Sequence, residues 1–106
     1  MKDTDINILI NGDTATIKIF GEIDWGCVQI LKEKFREVLE LGKNVMIDFS
    51  YIEYIDSSGV GELIALSKKL NKKEKSFNVS NMNSRVEEIL DLCGFFQVVG
   101  IVKNAK

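Results

Sequence analysis

No histidine and no proline occur among the 106 residues, and there are only two cysteines and one tryptophan. The missing imidazole excludes a Ser-His-Asp triad and removes the commonest metal ligand. Cys27 and Cys93 lie far apart and form no CxxC pair, so a zinc site with its usual set of about four ligands has nothing to build on. Both cysteines fall in apolar helical stripes, which predicts buried free thiols in a reducing compartment. The nucleotide loops G-x-x-x-x-G-K-[ST] and G-x-G-x-x-G are absent, as are the serine-nucleophile patterns G-x-S-x-G and S-x-x-K. A serine enzyme needs a base and an oxyanion site, and neither is visible. The expectation is a protein that is not an enzyme and carries no cofactor of its own.

Other absences narrow the partners. Sixteen acids against fourteen bases leave a formal net charge of −2, with the bases dispersed. Such a chain has no basic stripe to neutralise phosphates, so no nucleic-acid partner is expected. The one basic-rich run, Lys68 to Lys75, reads as a helix end whose lysines complement the carbonyl dipole. No apolar run approaches membrane-spanning length, and MKDTDINILI lacks the apolar core of a signal peptide. A soluble, cytoplasmic protein with no membrane partner is expected.

What remains is ordinary globular composition, 45% apolar and 28% charged, in a length that suits one domain spanning 1–106. Residues 5 to 10 alternate with period two, and Asn11-Gly12-Asp13 separates them from a second alternating run, Thr14 to Phe20. That pattern predicts an opening β-hairpin. After a break at Gly21 to Asp24, Val28, Leu31, Phe35, Val38 and Leu39 recur at helical spacing. Asp24 as N-cap and Gly42 beyond the C-terminus frame a helix over roughly 25 to 41. Val45 to Phe49 is nearly continuously apolar, as in a central strand covered on both faces. A second helix carries Val60, Leu63, Ile64, Ser67 and Leu70. Phe77 to Ser80 alternates as a strand. Ser84 and Glu87 have capping-box spacing ahead of a third helix that Gly94 closes, and Phe95 to Val102 reads as a last short strand. The order β-β-α-β-α-β-α-β predicts an α/β domain, a mixed sheet of about five strands flanked by helices.

The informative stretch is YIDSSGVGEL, from Tyr54 to Leu63. Asp56, Ser57 and Ser58 line up where a helix begins, and its first N–H groups need partners. One capping side chain is sufficient, yet three polar candidates are present. Gly59 and Gly61 fall in the first helical turns, where each costs up to ~1 kcal/mol relative to Ala. Two readings follow. In one the turn is a cap and the glycines allow tight packing. In the other a serine hydroxyl is held accessible as a phosphoacceptor, with the attacking and activating groups supplied by another protein. Phosphate at a helix N-terminus is locally tolerated, while it adds about −1.5 to −2 charge for a partner surface to meet. Physics alone does not choose between Ser57 and Ser58.

GEID at Gly21 to Asp24, NVMIDFSYIEYIDSSGVGELI at Asn44 to Ile64, and LCGFFQVV at Leu92 to Val99 together resemble the STAS domain family, in particular bacterial anti-sigma factor antagonists. The resemblance covers nearly the whole chain and implies a mixed sheet flanked by helices. It also implies that the first serine of the D-S-[ST]-G turn, here Ser57 (alternatively Ser58), is phosphorylated by an anti-sigma factor that is also a serine kinase. ATP and magnesium then belong to that kinase. The unphosphorylated form binds the anti-sigma factor and frees the sigma factor, and a PP2C-type phosphatase resets the switch. Asp24 matches an acidic position near the turn. The partner surface expected on this basis comprises Asp24, Trp25, Asp56, Ser57, Ser58 and Gly59. Where antagonists often carry a polar run after the acid, this chain has Trp25-Gly26-Cys27. Trp25 is either an exposed anchor for a partner or a ring packed over the edge of its own helix. An alternative within the same family is another kind of module: a stressosome-like scaffold, a transport accessory subunit or a ligand-sensing domain.

Overall fold

The computed structural model of the chain describes residues 5–99. The predicted hairpin is present: β1 (Asp5–Asn11) pairs antiparallel with β2 (Thr14–Ile23), from Asp5 opposite Phe20 to Asn11 opposite Thr14. The loop is Gly12-Asp13, and Gly12 takes φ +61°, a conformation that suits glycine. Ile6 and Ile8 lie opposite Ile19 and Ile17, so the period-two pattern places one apolar row toward the core.

β2 organises the rest of the sheet. Its first half pairs in parallel with β3 (Asn44–Asp48), and its last residues pair in parallel with β4 (Ile52–Ile55). β5 (Phe77–Ser80) adds in parallel to β3. Parallel neighbours need crossovers, and the helices supply them. A single 3-10 turn (Trp25–Cys27) and α1 (Val28–Glu40) link β2 to β3, and α2 (Ser57–Lys72) links β4 to β5. α3 (Ser84–Leu92) and α4 (Phe95–Val99) follow. Ala15, Ile17 and Ile19 of β2, Val45 and Ile47 of β3 and Val79 of β5 join Leu31, Phe35 and Val38 of α1 and Val60, Leu63, Leu66 and Leu70 of α2 in one core cluster. The basic run does end a helix, with Lys69 and Lys72 in the last turn of α2.

Several expectations are corrected. β3 is buried on one face only, with Met46 and Asp48 half-exposed on the other, so its apolar run does not mean double cover. β2 continues through Gly21 to Ile23 across a register shift at Gly21/Glu22, where the sequence suggests a break. β4 was not expected; four residues with pattern Ile-Glu-Tyr-Ile show no alternation. The last strand does not form: Phe95–Val99 is helix α4, and residues 100–102 lie outside the described residues. Gly94, at φ +76°, turns the chain, and its carbonyl accepts from the N–H groups of Gln97 and Val98, starting a new helical turn. Phe95 is buried against the edges of Phe77 and Phe96, so packing overrides the strand propensity of the run. The N-cap of α3 is Asn83, whose side chain accepts from Val86 N, rather than Ser84. Cys27 is buried as expected, whereas Cys93 is exposed. The strand count of five stands, but with β4 in place of the expected last strand.

The two glycines of α2 separate clearly. A Cβ on Gly59 would come within 2.5 Å of Ile23 Cγ2 and 3.0 Å of Ile55 Cγ1, whereas one on Gly61 meets nothing within 4 Å. Gly59 therefore lets α2 lie directly on the ends of β2 and β4. Gly59→Ala should lower unfolding free energy by ~1–3 kcal/mol through overpacking. Gly61→Ala should leave it unchanged or raise it by up to ~1 kcal/mol. Urea titration of both variants checks this, and equal effects would refute the packing role.

Candidate functional site

The site is the mouth of α2. Asp56 is its N-cap, in extended conformation, and its N–H donates to the carbonyl of Ile23 at 3.0 Å. The end of β2 thus fixes where the helix starts. Asp56 Oδ1 accepts from Ser58 N at 3.0 Å, from Gly59 N at 3.2 Å and from Ser58 Oγ at 2.6 Å. The backbone N–H of Trp25 lies near this carboxylate and favours its ionised form. Partial burial alone would raise the Asp56 carboxyl. Bonds from the Ser58 hydroxyl and from the N–H groups of Gly59 and Ser58, together with the nearby Trp25 N–H, outweigh it and hold the group below its ordinary value of 3.8.

The two serines are therefore not equivalent. Ser58 is half-buried and its hydroxyl is committed to Asp56. Ser57 is exposed, and among the described residues its hydroxyl has no hydrogen-bond partner. The same Asp-x-Ser device recurs at the end of β3. There Asp48 Oδ1 accepts from Ser50 N at 2.9 Å, from Ser50 Oγ at 2.6 Å and from Asn81 Nδ2 at 3.1 Å. Asp48 is likewise lowered, because the Ser50 and Asn81 bonds and the nearby Lys18 charge exceed the opposing effect of burial. The motif by itself is thus a structural clasp. What distinguishes the mouth of α2 is the second serine standing free beside it.

Asp24 and Trp25 come to the same place from 32 residues upstream, because Ile23 pairs with Ile55. Asp24 caps the 3-10 turn, its Oδ1 accepting from Gly26 N at 3.0 Å. The buried Cys27 thiol donates to the Asp24 carbonyl at 3.1 Å and so fastens this turn from beneath. Trp25 is 79% exposed, so its ring is not packed over α1. Of the six residues expected at the site, Asp24, Trp25, Asp56, Ser57 and Ser58 lie at the surface of the mouth. Gly59 is buried beneath it and acts through packing and its N–H. Among the described residues no group of three Cys, Asp or Glu side chains is placed to hold a metal ion. No helix there is long and apolar enough to cross a membrane.

Because the lowered Asp56 carboxylate is more acidic folded than unfolded, it stabilises above the unfolded value of ~3.9 and loses that contribution as pH falls through the folded value. Asp56→Ala should cost about 1–2 kcal/mol at neutral pH, with the gap from wild type narrowing below about pH 4. Urea midpoints measured across this range test the point; a gap independent of pH would show that the charge plays no part.

Comparison with known proteins agrees with the fold. The chain is 26% identical over 97 residues to the anti-sigma-B factor antagonist of Bacillus subtilis (strain 168), covering 92% of this chain and 89% of that one. The crystal structure of an anti-sigma factor antagonist from Mycobacterium paratuberculosis superposes with a TM-score of 0.85 at 20% identity, over 96% of this chain and 87% of that one. The structure of the Bacillus cell fate determinant SpoIIAA in its phosphorylated form gives 0.72 at 19%, over 98% and 92%. The STAS domain profile matches residues 5–106. By that match this chain belongs to the STAS domain family.

Proposed function

We propose that this protein is a phosphorylation-switched binding module, an anti-sigma factor antagonist acting in the cytoplasm. With Ser57 unmodified, it binds an anti-sigma factor that is also a serine kinase, and the sigma factor is released. The kinase brings ATP and magnesium, and a PP2C-type phosphatase removes the phosphate. The observation that carries this reading is the exposed Ser57 hydroxyl, free of partners while Ser58 completes the cap. Only Ser57 can be modified without first breaking the clasp on Asp56. Similarity to proteins named anti-sigma factor antagonists supports the same function, and a protein of this fold has been described in phosphorylated form.

The switch is electrostatic. A phosphate on Ser57 adds about −1.5 to −2 charge at pH 7, next to the already ionised Asp56. A complementary surface matched to a neutral hydroxyl must then bury an uncompensated anion, at a cost of several kcal/mol. Since 1.4 kcal/mol is about tenfold in affinity, the complex should weaken by roughly two or three decades. Trp25, exposed beside the turn, supplies the large apolar anchor that interfaces favour, and Asp24 supplies a carboxylate at the rim.

Incubation with ATP, magnesium and the cognate anti-sigma factor kinase should add one phosphate to wild type and to Ser58→Ala, and none to Ser57→Ala, by mass spectrometry. In titration calorimetry Ser57→Asp should bind that partner at least about tenfold more weakly. Label on a different residue, or an Asp variant that binds as tightly as wild type, defeats the proposal.

A further inference from the structure

Below the mouth, side chains of α1 and α2 line a groove with a volume of about 190 Å³. Phe35 and Leu66 are buried beneath it, and its half-exposed apolar lining is Leu39 from α1 and Ala65 from α2. Its rim carries Lys32, Arg36, Lys69 and Glu62. Lys32 is paired with Glu62 at 3.0 Å. Among the described residues Arg36 and Lys69 have no ion-pair partner. Three cations against one anion make the rim +2 in a chain whose formal net charge is −2. Its volume is below the ~300 Å³ at which small-molecule pockets begin, while a trough between two helices suits the ridge of a third.

The groove is continuous with the serine turn. Ser58, Glu62, Ala65 and Lys69 follow one another at spacings of four, three and four, a single stripe along α2. α1 and α2 both begin at the same end of the sheet, since each leaves one of the parallel strands β2 and β4. The Lys32–Glu62 pair crosses from α1 to α2 on this stripe, between Ser58 and Ala65, so the serine turn and the groove lie at the two sides of one ion pair. Gly61, exposed and with open space above it, keeps the path between them low.

We infer that the α1–α2 groove is a second part of the docking surface, and that it receives a helix of the anti-sigma factor presenting an apolar side chain flanked by carboxylates. The apolar side chain covers Leu39 and Ala65, and the carboxylates meet Arg36 and Lys69. This inference rests on the proposed function, because it extends the same interface. Since rim charges act mainly on association rate and salt dependence, the groove sets how fast the partner is captured, and the serine turn sets whether it stays.

The test uses the full chain and the purified anti-sigma factor kinase, with affinity and association rate measured at low and high salt. Arg36→Glu with Lys69→Glu should slow association and weaken binding about tenfold at low salt, with the difference shrinking as salt screens the charges. Both residues are exposed, so the fold is not at risk. Ala65→Gln, which puts a polar chain across the floor, should weaken binding with little change in salt dependence. Lys18→Glu with Arg85→Glu is the control of equal charge change away from the groove, since Lys18 lies on β2 between the core residues Ile17 and Ile19 and so faces away from α1 and α2, and Arg85 lies on α3. A loss no larger than in that control, or an Ala65→Gln variant as tight as wild type, overturns the groove as a docking site. Retention of the Ser57→Asp effect in the same assay would then leave the proposed function standing. If wild type itself does not bind, the reading on which the inference rests is gone and the inference goes with it.

Discussion

The Asp56 carboxylate is the point on which the rest depends. A helix begins with N–H groups that its own turns cannot satisfy, and a single acid here answers two of them, Ser58 N and Gly59 N. It also takes the Ser58 hydroxyl. Three donors on one carboxylate order the start of α2, and the Asp56 N–H on the Ile23 carbonyl ties that start to a segment distant in sequence. They also settle a competition. Ser and Asp are both good caps, and because Asp56 does the capping with Ser58 as its second, Ser57 has no structural task left.

That clasp works only because the sheet delivers its parts to one place. β2 pairs antiparallel with β1 along most of its length, then hands its last residues to β4 in parallel. The register shift at Gly21/Glu22 marks the transition. Beyond it, Ile23 sits opposite Ile55 and its carbonyl receives Asp56 N–H. The two motifs GEID and DSSG therefore become neighbours through backbone pairing. Side chains then lock the arrangement: Gly59 omits a Cβ so that α2 rests on Ile23 and Ile55, and the Cys27 thiol holds the Asp24 carbonyl from the buried side. The accessible residues of the site are mounted on elements whose inner faces are fully buried, so their spacing is rigid.

Much of this was legible in the sequence, and the failures have physical causes. The hairpin, α1, α2 and β5 carry strong periodicity at two or near 3.6, and each formed close to its expected limits. β4 did not announce itself, because its burial follows Ile52 and Ile55 with two exposed residues between, a three-residue interval that suggests no strand. Phe95 to Val99 has the composition of a strand but is a helical turn in the structure, since a left-handed Gly94 and the burial of Phe95 decide its conformation. At the mouth of α2, the residue types and their spacing predicted a helix start, and α2 does begin at Ser57 behind Asp56, but they did not show the division of labour between the two serines. Ser57 and Ser58 are adjacent and chemically identical; only the direction of their hydroxyls separates them. The groove between α1 and α2 left no signal, because Arg36 and Lys69 read as ordinary solvated positions until the helices are placed side by side.

The same clasp decides how a charge on Ser57 is felt. A phosphate at a helix N-terminus is usually neutralised by the free N–H groups around it. Here Ser58 N and Gly59 N are already taken by Asp56, and Val60 N is used by the Asp56 carbonyl. A phosphoryl group on Ser57 therefore gains the helix dipole but few direct donors, and it stands next to a carboxylate held in its ionised form. On the proposed function, the new charge would be left facing outward. A scaffold that cradled the phosphate would hide the signal from a partner. With the cap already saturated by Asp56, a modification of Ser57 would leave the fold unchanged, and its electrostatic effect would fall on the proposed docking partner.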